Sequence, residues 1–149
     1  MVAVGLLAAQ RGGRALWALP VAFVAAMAFG GVLGMSGVTV PGVELMIVGS
    51  VVALGGLVAL AARFPLAAAS VAVAGFALFH GHAHGTEAPL AASGLFYGLG
   101  FLASTAVLHA AGIAAVRLAR AGAATRNPVW VRTAGAAISF AGLALWLVV

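Results

Sequence analysis

Ala15–Met35 reads ALWALPVAFVAAMAFGGVLGM, without a single charged side chain. As a helix rising about 1.5 Å per residue it covers about 30 Å, the thickness of a bilayer's hydrocarbon core. Working outward, the same pattern recurs. Leu45–Ala62, Pro65–His84, Ser93–Val116 and Val129–Val149 are further apolar runs of spanning length, and Met1–Ala9 is an apolar run of about half that length. The chain has 149 residues, of which 65% are hydrophobic and 6% charged. Soluble domains carry about 25% charged residues. A water-soluble globular domain is excluded, and with it a nucleic-acid-binding role for the +5 net charge. The expected architecture is an all-α polytopic membrane bundle in one domain, residues 1–149. It has about five full spans (15–35, 45–62, 65–84, 93–116, 129–149) and a partial N-terminal one (1–9).

The short segments between the runs carry the charge. All seven cations are arginines, and they fall on alternate loops: Arg11 and Arg14, then Arg63, then Arg117, Arg120, Arg126 and Arg132. The intervening loops hold none, and the two acids, Glu44 and Glu87, lie there instead. By the positive-inside rule the arginine loops face the cytoplasm and the acidic ones the outside. No cysteine is present, so disulfides and thiolate metal ligands are excluded. Gly30/Gly34 and Gly94/Gly98 have the spacing that lets two membrane helices approach closely.

Polar side chains inside a membrane are costly, which makes them the place to look for function. His80-Gly81-His82-Ala83-His84-Gly85-Thr86-Glu87 gathers three imidazoles and a carboxylate within eight residues. His80 and His84 share a face if the helix continues through them, and Gly81 and Gly85 permit a turn that would bring His82 to the same point. Imidazole is a good ligand for Ni, Co, Zn and Cu, and Glu87 offers an oxygen ligand or a partner for a histidine. His109 is expected deep in its span, about 24 Å below Ser93 and close to the cytoplasmic side. Two separated sites along a path are therefore expected, one at His80–Glu87 and one at His109. Glu44 reads either as a first-turn carboxylate favoured by the helix dipole or as a further site residue at the outer mouth.

Phe79–Glu87 resembles the His-rich signature of the HupE/UreJ family of nickel and cobalt permeases. Met1–Leu6, the Ala-Gln-Arg-Gly-Gly-Arg turn and Leu108-His109-Ala110-Ala111-Gly112 resemble family segments in the same order. The resemblance covers essentially the whole chain. It implies a small six-span permease of the bacterial cytoplasmic membrane that supplies Ni²⁺, in some members Co²⁺, for hydrogenase or urease maturation. The family also carries His-Pro-x-x-Gly-x-Asp-His in its first span, ahead of the segment that Met1–Leu6 resembles. The chain is accordingly expected to start within that span.

The expectation is a permease and not an enzyme. No GxxxxGK[ST] stretch occurs for nucleotide-driven transport. Metal is captured by His80, His82, His84 and Glu87, with Glu44 nearby, and passes inward by His109. No tightly bound cofactor is expected, and Ni²⁺ or Co²⁺ is the transported ion. Expected partners are the metal and the lipid bilayer, with a second copy of the chain or a metallochaperone as further candidates. The competing readings are a membrane-bound metal chaperone or sensor that holds metal without moving it, and an inactive truncated permease.

Overall fold

A computed structural model describes residues 1–89, 93–121 and 129–148. Among these described residues are six helices: α1 Val2–Arg11, α2 Ala15–Met35, α3 Val43–Ala59, α4 Leu66–Thr86, α5 Gly94–Ala121 and α6 Val129–Trp146. No strand occurs among the described residues. Four of the helices, α2, α4, α5 and α6, are long and apolar enough to cross a membrane, while α1 and α3 are shorter apolar helices. The protein is an all-α membrane bundle.

The helices run alternately up and down, so the arginines of the described residues collect at one end and Glu44 and Glu87 at the other. Arg126 lies outside the described residues. Two of the expected loops are helical at their edges. α1 continues through Gln10 to Arg11, and α5 continues through Arg117 and Arg120 to Ala121. The arginines at these helix ends lie next to unsatisfied C-terminal carbonyls, where a cation is favoured. Arg120 donates to the Gln10 carbonyl at 3.3 Å, and Arg132 donates to the Ala59 carbonyl at 2.9 Å. Arg11 donates to the carbonyls of Ala62 and Phe64 and stacks over the Phe64 ring.

The ten-residue α1 is the axis of the bundle. Every residue from Ala3 to Gln10 is buried, and the helix packs on α2, α3, α5 and α6. A helix that is apolar all round belongs in such a position. At about 1.5 Å per residue it fills only about 15 Å of the bundle, at the arginine end. Gln10, its one buried polar side chain, donates from Nε2 to the Val58 carbonyl at 3.0 Å.

Glycines set the three tightest pairings. α2 and α4 run parallel and touch through Gly30 and Gly34 on one side and Gly81 and Gly85 on the other. A Cβ at any of the four would run into the partner's backbone. α1 meets α5 at Gly5 and Gly112, whose would-be Cβ atoms likewise meet backbone. α3 and α6 run antiparallel through Gly55, Gly135 and Gly142. Gly94 and Gly98, which have the same spacing, approach only the side chains of Met35 and Phe101 and form no backbone crossing.

Midway along the α3–α6 seam, Ser139 Oγ donates to the Val52 carbonyl at 2.9 Å, in addition to the Arg132–Ala59 bond at the arginine end. Bonds of this kind between membrane helices contribute about 0.6 kcal/mol on average. Ser139→Ala is therefore expected to lower the melting temperature in detergent slightly, while Ser139→Leu, which would have to fit beside Gly55 and Gly135, is expected to separate the two helices. Thermal unfolding of the two purified variants checks this ordering.

Candidate functional site

The His-rich stretch lies on the last turns of α4, which stays helical through Thr86. A turn at Gly81 and Gly85 that gathers three histidines is therefore not formed. Instead both glycines face α2 and hold the two backbones together. At about 100° per residue, that glycine seam leaves His80 and His84 on one flank and His82 on the other.

Each histidine has its own surroundings. His82 is 4% exposed, and its Nε2 lies 2.7 Å from the Val38 carbonyl, in the turn after α2. With a carbonyl as partner, Nε2 must carry the proton. Its Nδ1 is buried without a partner among the described residues. His84 stacks on Phe101 of α5, rings 5.1 Å apart and 9° from parallel. His80 donates from Nδ1 to the Phe76 carbonyl one turn earlier at 3.1 Å, which leaves Nε2 as its acceptor nitrogen. Glu87 caps α4 and is exposed. Glu44 is an exposed carboxylate in the first turn of α3. Among the described residues no three of the His, Asp and Glu side chains stand close enough to hold one metal ion together. His80, His82, His84, Glu87 and Glu44 thus form no single ligand set.

The bundle does bring together two histidines that lie far apart in sequence. Phe23 of α2 packs against His80, ring centroids 5.9 Å apart, and edge-on against His109 of α5 at 5.0 Å. The expectation of separate outer and inner levels for these residues does not hold. His80 lies fourteen residues beyond the start of α4 and His109 twelve residues before the end of α5. Both are thus about 20 Å from the arginine end. Counting down from Ser93 misleads because α5 has 28 residues, about 42 Å of helix, and exceeds the hydrocarbon core.

His109 is 1% exposed, beside the Gly5–Gly112 crossing, and neither of its ring nitrogens has a hydrogen-bond partner among the described residues. Thr105, one turn earlier, donates instead to Met27 Sδ at 3.5 Å. His80 lines a cavity of about 340 Å³ over the N-terminal end of α1, with Met1, Phe23, Ser50 and Leu54 also in its wall. His109 lines a separate apolar groove between α2 and α5. Phe23 stands between the two imidazoles. Sequence reasoning missed Phe23 and Ser50. An aromatic in an apolar run and a serine in a small-residue run carry no local signal of what they face.

These features define a small multi-pass helical membrane protein with two histidines meeting inside its bundle. The family model described as HupE / UreJ protein matches residues 1–145. The chain belongs to that family, whose members are membrane proteins and not enzymes. It is 46% identical over 147 residues to "Protein HupE" of Rhizobium leguminosarum bv. viciae, a match spanning 97% of this chain and 74% of that protein. No solved structure matches.

Proposed function

We propose that the protein is a permease carrying Ni²⁺, or Co²⁺, across the bacterial cytoplasmic membrane for the maturation of hydrogenase or urease. Family membership supports the class. The observation that carries the reading is the meeting of His80 and His109 on Phe23 in an otherwise apolar bundle. The cation enters at the end that bears Glu44 and Glu87, where carboxylates concentrate positive ions. His84, on the same flank of α4 as His80, is the first imidazole it meets. It then exchanges to His80 Nε2, passes the Phe23 ring and reaches His109. Ligands used one or two at a time suit passage, because a site that conducts must also release. A closed four-ligand cage would retain the metal.

The test is accumulation of radioactive nickel by cells lacking their own nickel importers and expressing this protein from its native gene. Uptake above the empty-vector level that cobalt competes for is expected. Nickel retained by purified protein without any uptake by cells would replace the permease with a metal-holding chaperone or sensor. Imidazole binds metal only when neutral, so protonation competes as pH falls. Nickel binding to the purified protein, followed by titration calorimetry, is expected to weaken as the pH is lowered from about 7.5.

A further inference from the structure

The arginine end of the bundle holds an arginine-lined cleft that the proposed metal path does not use. It measures about 360 Å³ and is lined by Gln10, Arg11, Arg14, Arg63, Ala15 and Leu66. Ala15 and Leu66 are the first residues of α2 and α4, and neither helix start has a side-chain cap. At α2 the N–H groups of Ala15 and Leu16 return to the Gly12 and Gly13 carbonyls. At α4 the first backbone donor with a partner among the described residues is that of Ala69, bonded to the Pro65 carbonyl. Two helix dipoles thus begin at the cleft, and one of them has free donors.

The charge of the cleft has no internal counterpart. Both acidic side chains, Glu44 and Glu87, lie at the opposite end of the bundle. Arg11 is fixed by the Ala62 and Phe64 carbonyls and by the Phe64 ring. Arg14 and Arg63 are exposed and donate to nothing among the described residues. Two unengaged guanidinium groups, a third held in place and an uncapped helix start around one cavity call for an oxyanion. Guanidinium matches phosphate through paired, parallel hydrogen bonds. Basic clefts between membrane helices on the arginine-rich side lie at the level of lipid headgroups.

We propose that this cleft binds a phosphate group, with Arg14 and Arg63 as its mobile ligands and Arg11 as its fixed floor. The source is the headgroup of an anionic phospholipid in the adjoining leaflet, or free phosphate. Thermal unfolding of the full chain in neutral detergent tests this, with phosphatidylglycerol, phosphatidylcholine or inorganic phosphate added. A ligand that binds only the folded state raises the melting temperature. Phosphatidylglycerol is expected to raise it by several degrees and phosphatidylcholine not to. The shift is expected to fall by at least half in Arg14→Gln/Arg63→Gln and to persist in Arg117→Gln, which removes an exposed charge from α5 outside the cleft. Stabilisation by phosphatidylglycerol alone identifies the lipid source, and stabilisation by inorganic phosphate as well identifies a site for the free ion. No shift with either, an undiminished shift in the double variant, or an equal loss in Arg117→Gln would overturn the proposal. Native mass spectrometry of the unaltered protein gives a readout independent of variant folding, and equal retention of phosphatidylglycerol and phosphatidylcholine would overturn it too.

Discussion

Gly81→Leu is expected to yield no folded protein. A Cβ at position 81 would lie far inside van der Waals contact distance of the Met27 carbonyl oxygen and within 3 Å of the Gly31 nitrogen. These are backbone atoms of α2, so relief requires moving a helix and not a side chain. α2 cannot yield locally, because Gly30 and Gly34 press on α4 one turn to either side, at Leu78 and at His82–Thr86. Without water to drive the helices together, close backbone packing is the main attraction between them. Gly81→Ala alone is expected to cost about 3 kcal/mol, the upper end of ordinary overpacking. Larger side chains force α2 and α4 fully apart. Gly75→Ala and Gly100→Ala meet open space and are expected to leave the protein intact. Size-exclusion chromatography and thermal unfolding in detergent compare the four. A Gly81→Leu protein that elutes and melts like the parent would mean that α2 and α4 do not pack through this seam.

The second large effect is on transport. His109→Leu is expected to lower nickel uptake at least tenfold while leaving stability equal or higher. The two halves of the prediction come from the same fact. Both ring nitrogens of His109 are buried without a partner among the described residues, and an unsatisfied buried polar atom costs about 1–3 kcal/mol. A histidine present for packing would gain its hydrogen bonds or be replaced by an apolar residue without penalty. A histidine present for a passing cation must keep a nitrogen available and bear that cost. Replacement by leucine removes the cost and the ligand together. His80→Leu is expected to reduce uptake similarly, since its Nε2 is the free nitrogen on the other side of Phe23. His82→Leu is expected to act through stability instead, because it removes the bond to the Val38 carbonyl. Uptake in cells, normalised to the amount of folded protein, separates these outcomes. Full uptake by His109→Leu would remove that residue from the path.

Several features were legible because they are properties of a stretch read by itself. The length and apolarity of Ala15–Met35 require a membrane helix wherever it packs, since hydrocarbon leaves the backbone no other partner. The alternation of arginine-bearing loops fixes which helix ends share a side, and the all-helical class follows. The His80–Glu87 stretch and His109 stood out because polar groups are rare in such a chain. The spacing of Gly30 and Gly34 marked a close crossing, although Gly94 and Gly98 show the same spacing without one.

What only the tertiary structure decided is how the helices are rotated and how far each is shifted along its axis. A soluble helix announces its buried face by a polar stripe, but α2 is apolar all round and the few polar residues of α3 and α4 form no such stripe, so no periodicity shows which side meets a neighbour. That is why Gly81 and Gly85 read as a flexible turn when they are the seam of α2 and α4. It is also why three histidines that look like one cluster point to three different partners. Axial shift is equally silent in a sequence. The length of α5 hid the level of His109, and its pairing with His80 across Phe23 appears only when α1, α2, α4 and α5 are packed together. Composition and charge determined that this is a membrane bundle and which ends of its helices lie together. Close backbone contact between glycines, which depends on both partners at once, determined which of its histidines meet.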